Sequence, residues 1–160
     1  MTSEQNLSRR EALAWIAGIA ATAAAPLKIA AVVATPIAVY KDPSCGCCEG
    51  WVAHMKAHGF APSVTNDATA TADVKKKYGV PLALQSCHTA VVAGYVVEGH
   101  VPATDVRKLL AQKPKGIVGL TIPGMPASAP GMDMSPFKPY TVLAFNAKGE
   151  TTEFAKHERA

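Results

Sequence analysis

From residue 36 onward, short apolar runs typical of strands alternate with segments that have the apolar spacing of helices. Pro36–Tyr40 is a short apolar run that predicts a buried strand, and Cys47–His58 carries its large apolar residues on one helical face before the stop signal of Gly59. A second strand is expected at Ala61–Asn66 and a second helix at Ala72–Tyr78. Strands that alternate with helices predict an α/β sheet with parallel neighbours.

The pattern changes to a hairpin and a third helix farther along. Thr89–Val92 and Tyr95–Glu98 alternate in strand fashion around a turn at Ala93-Gly94. Thr104 is expected to cap a helix that runs from Asp105 to Gln112. The order β-α-β-α-β-β-α is that of a thioredoxin-like α/β domain, in which the active site follows the first strand.

The remaining segment, Pro114–Pro139, predicts a loop rich in proline, glycine and methionine. The tripeptide Pro123-Gly124-Met125 recurs seven residues later as Pro130-Gly131-Met132, and Met134 follows. Tyr140–Phe145 and Thr151–Phe154 predict a closing hairpin. We therefore expect a domain at 35–155 and a frayed tail at 156–160.

The first residues have the character of an export signal. Ser8-Arg9-Arg10 precedes an alanine-rich apolar run at Ala12–Ala25, which resembles a twin-arginine leader. The run is too short for a comfortable membrane span, which needs about 20 residues. We expect residues 1–34 to direct export to the periplasm and to be removed there, with no stable membrane insertion after cleavage.

Composition narrows the classes of function. The 160 residues suffice for one domain, and the net charge of +4 is mild. Lys75-Lys76-Lys77 is the single run of three basic residues, and it lies in a predicted helix near the acidic Asp73, with no aromatic-rich basic stripe in the chain. Nucleic-acid binding is therefore not expected.

The four cysteines carry the chemistry. Cys45, Cys47 and Cys48 lie at a predicted helix start, where free backbone N–H groups stabilise thiolates, and Cys87 precedes a strand of the same sheet. The loop before that strand is expected to meet the first cysteine turn, so Cys87 would complete one site.

Three interpretations of these thiols stay open. The Cys45…Cys48 spacing is typical of a thiol-disulfide oxidoreductase, and four cysteines in an exported chain also fit two structural disulfides. The third is a metal site. One Cu(I) or one Zn(II) on four thiolates leaves a large negative charge, whereas several bridged Cu(I) ions cancel it and match soft sulfur donors.

Further donors are weaker candidates. His88 adjoins Cys87 and is expected to be either a ligand, a proton shuttle or a hydrogen-bonded loop residue. Met125, Met132 and Met134 are soft thioethers on an aperiodic loop, although methionines also fill gaps in a core. His100 and the His54/His58 pair are weaker still, because a solvated helix face explains the pair.

Several segments together resemble the CopG-like copper-resistance proteins. They are Val39–Trp51 with its C-x-C-C turn, Gly79-Val80-Pro81, Ser86–Val92, Gly94–Ala103 and Pro123–Pro126. The resemblance spans residues 37–154. It implies a periplasmic thioredoxin-like domain with a multinuclear Cu(I)–thiolate site at Cys45, Cys47, Cys48 and Cys87. It further implies a role in copper handling, including interconversion of Cu(I) and Cu(II), alongside other periplasmic copper-handling proteins.

Overall fold

The structure, a computed structural model, describes residues 33–159. All but the last two residues of the predicted export signal lie outside this range. The described residues form seven strands and three α-helices, and strands and helices alternate as predicted from the first strand to the third. They are β1 (Thr35–Lys41), α1 (Gly46–Ala57), β2 (Phe60–Asn66), α2 (Ala68–Lys77), β3 (His88–Val92), β4 (Tyr95–Glu98), α3 (Ala103–Gln112), β5 (Ile117–Thr121), β6 (Tyr140–Asn146) and β7 (Thr151–His157).

All seven strands form one mixed sheet in the order β2-β1-β3-β4-β5-β6-β7. The β1/β2 and β4/β5 pairs are parallel, and the other neighbours are antiparallel. The α/β class and the element order β-α-β-α-β-β-α are thus confirmed, and the closing hairpin is present as β6 and β7.

Hydrophobic side chains pack on both faces of this sheet. The larger cluster joins Trp51, Val52 and Met55 of α1 to residues of α3 and of the strands, and it includes Val97 of β4. Val96, the preceding residue of β4, belongs to a second cluster with Phe145. Because successive strand residues point to opposite faces, each face has its own core.

Two helices begin earlier than their sequence patterns predict. The side chain of Asp67 accepts a hydrogen bond from the backbone N–H of Ala70 at 2.9 Å, so α2 starts at Ala68 rather than Ala72. The predicted cap Thr104 lies inside α3, which starts at Ala103 after Pro102. Proline fixes a backbone angle that suits a helix start, and this signal outweighs the hydroxyl cap.

The segment predicted as an unbroken loop at Pro114–Pro139 contains strand β5. The sequence pattern does not predict β5 because Gly119 lies in its middle, and glycine is unfavourable inside a strand. Here a Cβ on Gly119 would lie 2.1 Å from the carbonyl oxygen of Val96, so the close approach of β4 explains the glycine. The remaining loop spans residues 122–139. Strand β7 continues to His157 and so takes in the first two residues of the predicted tail.

The strand register brings several polar residues to one end of the sheet. Lys41, the last residue of β1, pairs with His88, the first residue of β3, and Thr89 pairs with Glu98, the last residue of β4. The cysteine turn follows β1 and Cys87 precedes β3, so both arrive at this end. Within residues 33–159, no helix combines the length and apolar character that crossing a bilayer requires.

Candidate metal and redox centre

The turn between β1 and α1 presents three cysteines at a helix start. Asp42 accepts a hydrogen bond from the backbone N–H of Ser44 at 2.8 Å, and its carbonyl accepts one from Cys45 N–H at 3.1 Å. Cys45 is the N-cap residue of α1 and makes no side-chain cap. The positive end of the α1 dipole, with its first N–H groups uncapped by Cys45, therefore lies at the cysteine turn.

Four sulfur atoms converge at this turn. The Sγ atoms of Cys45, Cys47, Cys48 and Cys87, called here the four-sulfur cluster, all lie within 4.8 Å of one another. Cys45 and Cys48 form a disulfide, and Cys45 Sγ lies 3.6 Å from Cys47 Sγ. Cys47 and Cys87 are free thiols. The site is therefore in its two-electron-oxidised form. It contains one disulfide and two free thiols rather than the two structural disulfides considered above.

Two buried histidines extend the cluster beyond sulfur. Cys87 Sγ lies 3.5 Å from His88 Nδ1 and 3.4 Å from His100 Nε2. With Cys48, these donors form a mixed nitrogen–sulfur cluster, again within 4.8 Å. His88 and His100 are 0% and 1% exposed, so both rings belong to the interior and not to a solvated loop.

Hydrogen bonding fixes the orientation of His100. Its Nδ1 lies 2.7 Å from the carbonyl oxygen of Pro130. A carbonyl oxygen accepts only, so Nδ1 carries the proton and the lone pair of Nε2 faces Cys87. This is the usual support of a metal-binding histidine, whose other nitrogen donates to a carbonyl.

Both imidazoles are held in the neutral form. Burial, together with the neighbouring His100 and Lys75, lowers the pKa of His88 to about 3. Burial likewise lowers the pKa of His100. Burial also raises the pKa of the Cys87 thiol, against a hydrogen bond from Ser86 that lowers it. Neutral imidazole is the form that binds metals, whereas Cys87 needs a cation nearby to ionise readily.

The ring of Trp51 forms one wall of the site. Its centroid lies 4.4 Å from that of His88, and its Nε1 donates a hydrogen bond to Val101 O at 2.8 Å. No described residue offers His88 Nε2 a hydrogen bond. An unpaired buried nitrogen is unusual, and it fits a ring placed for a purpose other than core packing.

The methionine loop touches this site through its second tripeptide. A Cβ on Gly131 would lie 2.3 Å from the backbone nitrogen of Trp51, so the loop backbone lies directly on α1 there. Met132, the next residue, is half-buried, whereas Met125 and Met134 are 41% and 58% exposed. The two halves of the repeat therefore occupy different environments, and only Met132 adjoins the segment that contacts the site.

Sequence reasoning undervalued His100 and did not single out Lys41 as part of the site. His100 follows β4 at the same sheet end as Cys87, and that topological position was the available signal. Lys41 is 1% exposed, and its Nζ donates to the carbonyls of Asp42 (3.2 Å) and Cys45 (3.5 Å) and pairs with Glu49 at 3.0 Å. Lys41 therefore ties the backbone of the cysteine turn to Glu49.

His54 has a structural role instead of the weak metal role considered above. Its Nε2 accepts the backbone N–H of Ala103 at 3.1 Å and so caps the start of α3. Burial, the largest effect, and nearby His58 lower the pKa of His54, whereas Asp133 raises it. Because only the neutral ring can accept, this cap is complete above the ordinary pKa of about 6.5 and is lost as the pH falls through the lower folded value.

We expect His54→Ala to lower the free energy of unfolding by about 1 kcal/mol at pH 8, the usual worth of a cap, and by less at pH 5. Urea unfolding of both proteins at the two pH values measures the difference. His58→Ala is the control for loss of the neighbouring imidazole, because the exposed His58 side chain bonds through Nδ1 to the His54 carbonyl and makes no hydrogen bond to α3. An equal loss for His54→Ala at both pH values would contradict the cap.

Known proteins resemble this chain over most of its described length. Residues 84–132 match a family model described as a protein of unknown function, DUF411, and this segment contains Cys87, both site histidines and the two Pro-Gly-Met tripeptides. No curated protein matches the chain.

Two solved structures match more fully. They are of a copper resistance protein CopG, in Form 1 and Form 2, and each is 38% identical to this chain. Form 1 has a TM-score of 0.72 and aligns over 79% of this chain and 99% of its own, and Form 2 has a TM-score of 0.71 with 78% and 98%. Identity at this level over nearly the whole of that protein settles the relationship: the chain belongs to the family of the copper resistance protein CopG.

Proposed function

We propose that this chain is a copper-binding protein of copper resistance that holds several Cu(I) ions on Cys45, Cys47, Cys48 and Cys87. The observation that carries the proposal is the convergence of four sulfur atoms, from two distant parts of the chain, within 4.8 Å. The name of the 38% identical relatives gives independent support for copper as the metal.

The donor set favours Cu(I) over harder or divalent ions. Thiolate sulfur is a soft donor that selects Cu(I), and each bridged Cu(I) cancels one thiolate charge. A single Zn(II) would leave two charges of four thiolates uncompensated in a partly buried site, and its usual sites pair one C-x-x-C with another.

The cysteine pair Cys45–Cys48 links copper binding to redox state. Two electrons and two protons convert the disulfide to two thiols, which then lose their protons as they bind Cu(I). In the opposite direction, two thiolates can each give one electron to a Cu(II) ion, and the products are one S–S bond and two Cu(I) ions. This balance supports interconversion of Cu(I) and Cu(II) as the finer activity, for which an outside reductant must restore the thiols.

The neighbouring donors complete the proposal. His88 and His100 offer nitrogen ligands that share Cys87 with the four-sulfur cluster, and imidazole suits copper in both oxidation states. Met132 is a candidate thioether ligand in the loop segment that contacts α1, and the exposed Met125 and Met134 are candidate soft donors at the surface. The leader-like residues 1–34 support a periplasmic location reached by the twin-arginine route, where the partners would be copper ions and other copper-handling proteins.

Anaerobic titration of the reduced protein with Cu(I), against a competing chelator, tests this function. We expect several equivalents to bind, and we expect Cys47→Ser to lose the multinuclear binding because a bridging thiolate is removed. Ser44→Ala, in the same turn but without a sulfur donor, is the control and should bind as the parent does. Binding of one equivalent or none by the parent protein would contradict the multinuclear site.

A thiol-disulfide oxidoreductase is the second candidate, favoured by the disulfide between Cys45 and Cys48 at a helix start. The free thiol of Cys47, 3.6 Å from Cys45 Sγ, would compete in a two-cysteine cycle. Full disulfide exchange with a protein substrate in Cys47→Ser, together with negligible copper uptake by the parent, would favour this candidate.

A further inference from the structure

Lys75 and Glu98 form a buried ion pair next to the site. Their side chains hydrogen-bond to the residues that flank the Cys87-His88 dipeptide. Glu98 is 0% exposed, and its carboxylate pairs with the ammonium of Lys75, which is itself buried. Neither residue belongs to the four-sulfur or the mixed cluster.

The carboxylate of Glu98 accepts from both sides of the Cys87-His88 dipeptide. One oxygen accepts the backbone N–H of Ser86 at 2.6 Å, and the other accepts the hydroxyl of Thr89 at 2.7 Å. The ammonium of Lys75 donates to the carbonyl of Ser86 at 3.1 Å and to the Thr89 hydroxyl at 2.8 Å. Every side-chain hydrogen bond that the pair makes outside itself therefore goes to the residue before Cys87 or the residue after His88.

Core stability alone does not account for this arrangement. A buried ion pair is often no better for stability than apolar residues of similar volume, because the desolvation cost offsets the attraction. A polar anchor does offer direction, since each hydrogen bond fixes an atom of the loop. The pair is also neutral overall, so it can hold the loop without adding net charge beside the sulfur atoms.

We infer that Lys75 and Glu98 are positioning residues that hold Cys87 within reach of Cys45, Cys47 and Cys48. The inference rests on the proposed function for its copper readout, although the position of Cys87 can be measured without copper. The turn Cys45–Cys48 is anchored separately, through hydrogen bonds of Asp42 and Lys41, and makes no hydrogen bond to the side chains of the pair. Loosening the pair should therefore affect Cys87 and spare the Cys45–Cys48 disulfide.

The double variant Lys75→Met with Glu98→Leu tests the inference while leaving no unpaired buried charge. We expect it to fold with a lower free energy of unfolding, because the Ser86 N–H, the Ser86 carbonyl and the Thr89 hydroxyl lose their partners. We expect its Cu(I) equivalents to fall to those of Cys87→Ser. The reduction potential of Cys45–Cys48 should not change. Glu98→Gln is the second variant, to be assayed in the same way if the double variant does not fold.

A copper-free readout separates this inference from the proposed function. In the oxidised protein carrying Cys47→Ser, Cys87 is the one remaining free thiol, and its rate of alkylation reports its exposure. We expect the double variant to be alkylated roughly tenfold faster, which corresponds to about 1.4 kcal/mol of lost restraint. If the parent binds no copper, this rate still tests the positioning role.

Thr121→Val is the matched control. The Thr121 hydroxyl is buried and donates to Leu84 O at 2.9 Å, and Thr121 pairs with Glu98 in the β4/β5 register without a hydrogen bond from its side chain to Ser86, Thr89 or the Glu98 carboxylate. It should lower the free energy of unfolding, because the Leu84 carbonyl loses its donor, and leave copper binding and alkylation unchanged. Parental copper binding and parental alkylation in the double variant would overturn the positioning role, as would equal changes in Thr121→Val.

Discussion

Oxidation of the Cys45–Cys48 pair to the disulfide is expected to expel copper from the protein. The disulfide removes two of four thiolates, and no other described cysteine can replace them, since Cys47 and Cys87 already belong to the cluster. Structural Zn(II) sites of four ligands bind with about 10–16 kcal/mol, and on that scale the loss of two of four ligands costs about 5 kcal/mol. That figure corresponds to an affinity roughly four orders of magnitude weaker.

Copper release during stepwise oxidation, with thiols counted in parallel, measures this effect. Copper should leave as the two thiols of Cys45 and Cys48 disappear. The control is Cys45→Ser, which cannot form the disulfide: its copper binding should be weaker from the start and should respond far less to the same oxidant. If the disulfide form binds as many equivalents and as tightly as the reduced form, the four-sulfur cluster is not the copper site.

Gly131→Ala is expected to be among the most disruptive single substitutions in the chain. The backbone of Gly131 has φ +83°, and an added Cβ would lie 2.3 Å from the backbone nitrogen of Trp51. A left-handed backbone costs a non-glycine residue about 1–2 kcal/mol, and a forced contact with backbone adds about 1–3 kcal/mol. We therefore expect the free energy of unfolding to fall by about 2–5 kcal/mol.

The loop must also move away from α1 to accommodate the methyl group, and Pro130 carries the carbonyl that orients His100. Urea unfolding gives the stability, and Cu(I) titration gives the effect on the site. The repeat supplies its own control: Gly124 has φ +75° but open space where a Cβ would lie, so Gly124→Ala should cost only the backbone term of about 1 kcal/mol. Similar losses for the two alanine variants would refute the contact between the loop and α1.

The sequence predicts the α/β order and the meeting of distant thiols because both follow from local patterns. Periodicity identifies α1, and the antiparallel pairing of β1 with β3 then brings residues near 45 and 87 to one sheet end. Strand β5 is not predicted, because the glycine at position 119 is required by the close approach of Val96. That tertiary contact cannot be recognised from the neighbouring sequence. Resemblance to CopG-like proteins identified the family, which composition alone could not.

Side-chain partnerships are the part that local reasoning could not supply. The cap of His54 on Ala103 joins residues 49 positions apart, and the bond from His100 to Pro130 joins residues 30 positions apart. Lys75 has the pattern of one member of a solvated basic run, yet it is buried because Glu98 lies opposite on β4. A run of charged residues therefore predicts an exposed surface only where none of its members pairs with a buried residue of opposite charge.

The register of β1, β3 and β4 has a consequence for recognising distant relatives. Cys87 and His100 are joined by a tight hairpin, and their separation of 13 residues is set by strand pairing. The stretch between β1 and β3 instead passes through α1, β2 and α2, whose connecting loops lie at the surface, where insertions are tolerated. We therefore expect distant relatives to keep the number of residues between the downstream Cys-His and the second histidine. The number of residues between the C-x-C-C tetrapeptide and that Cys-His should vary among them.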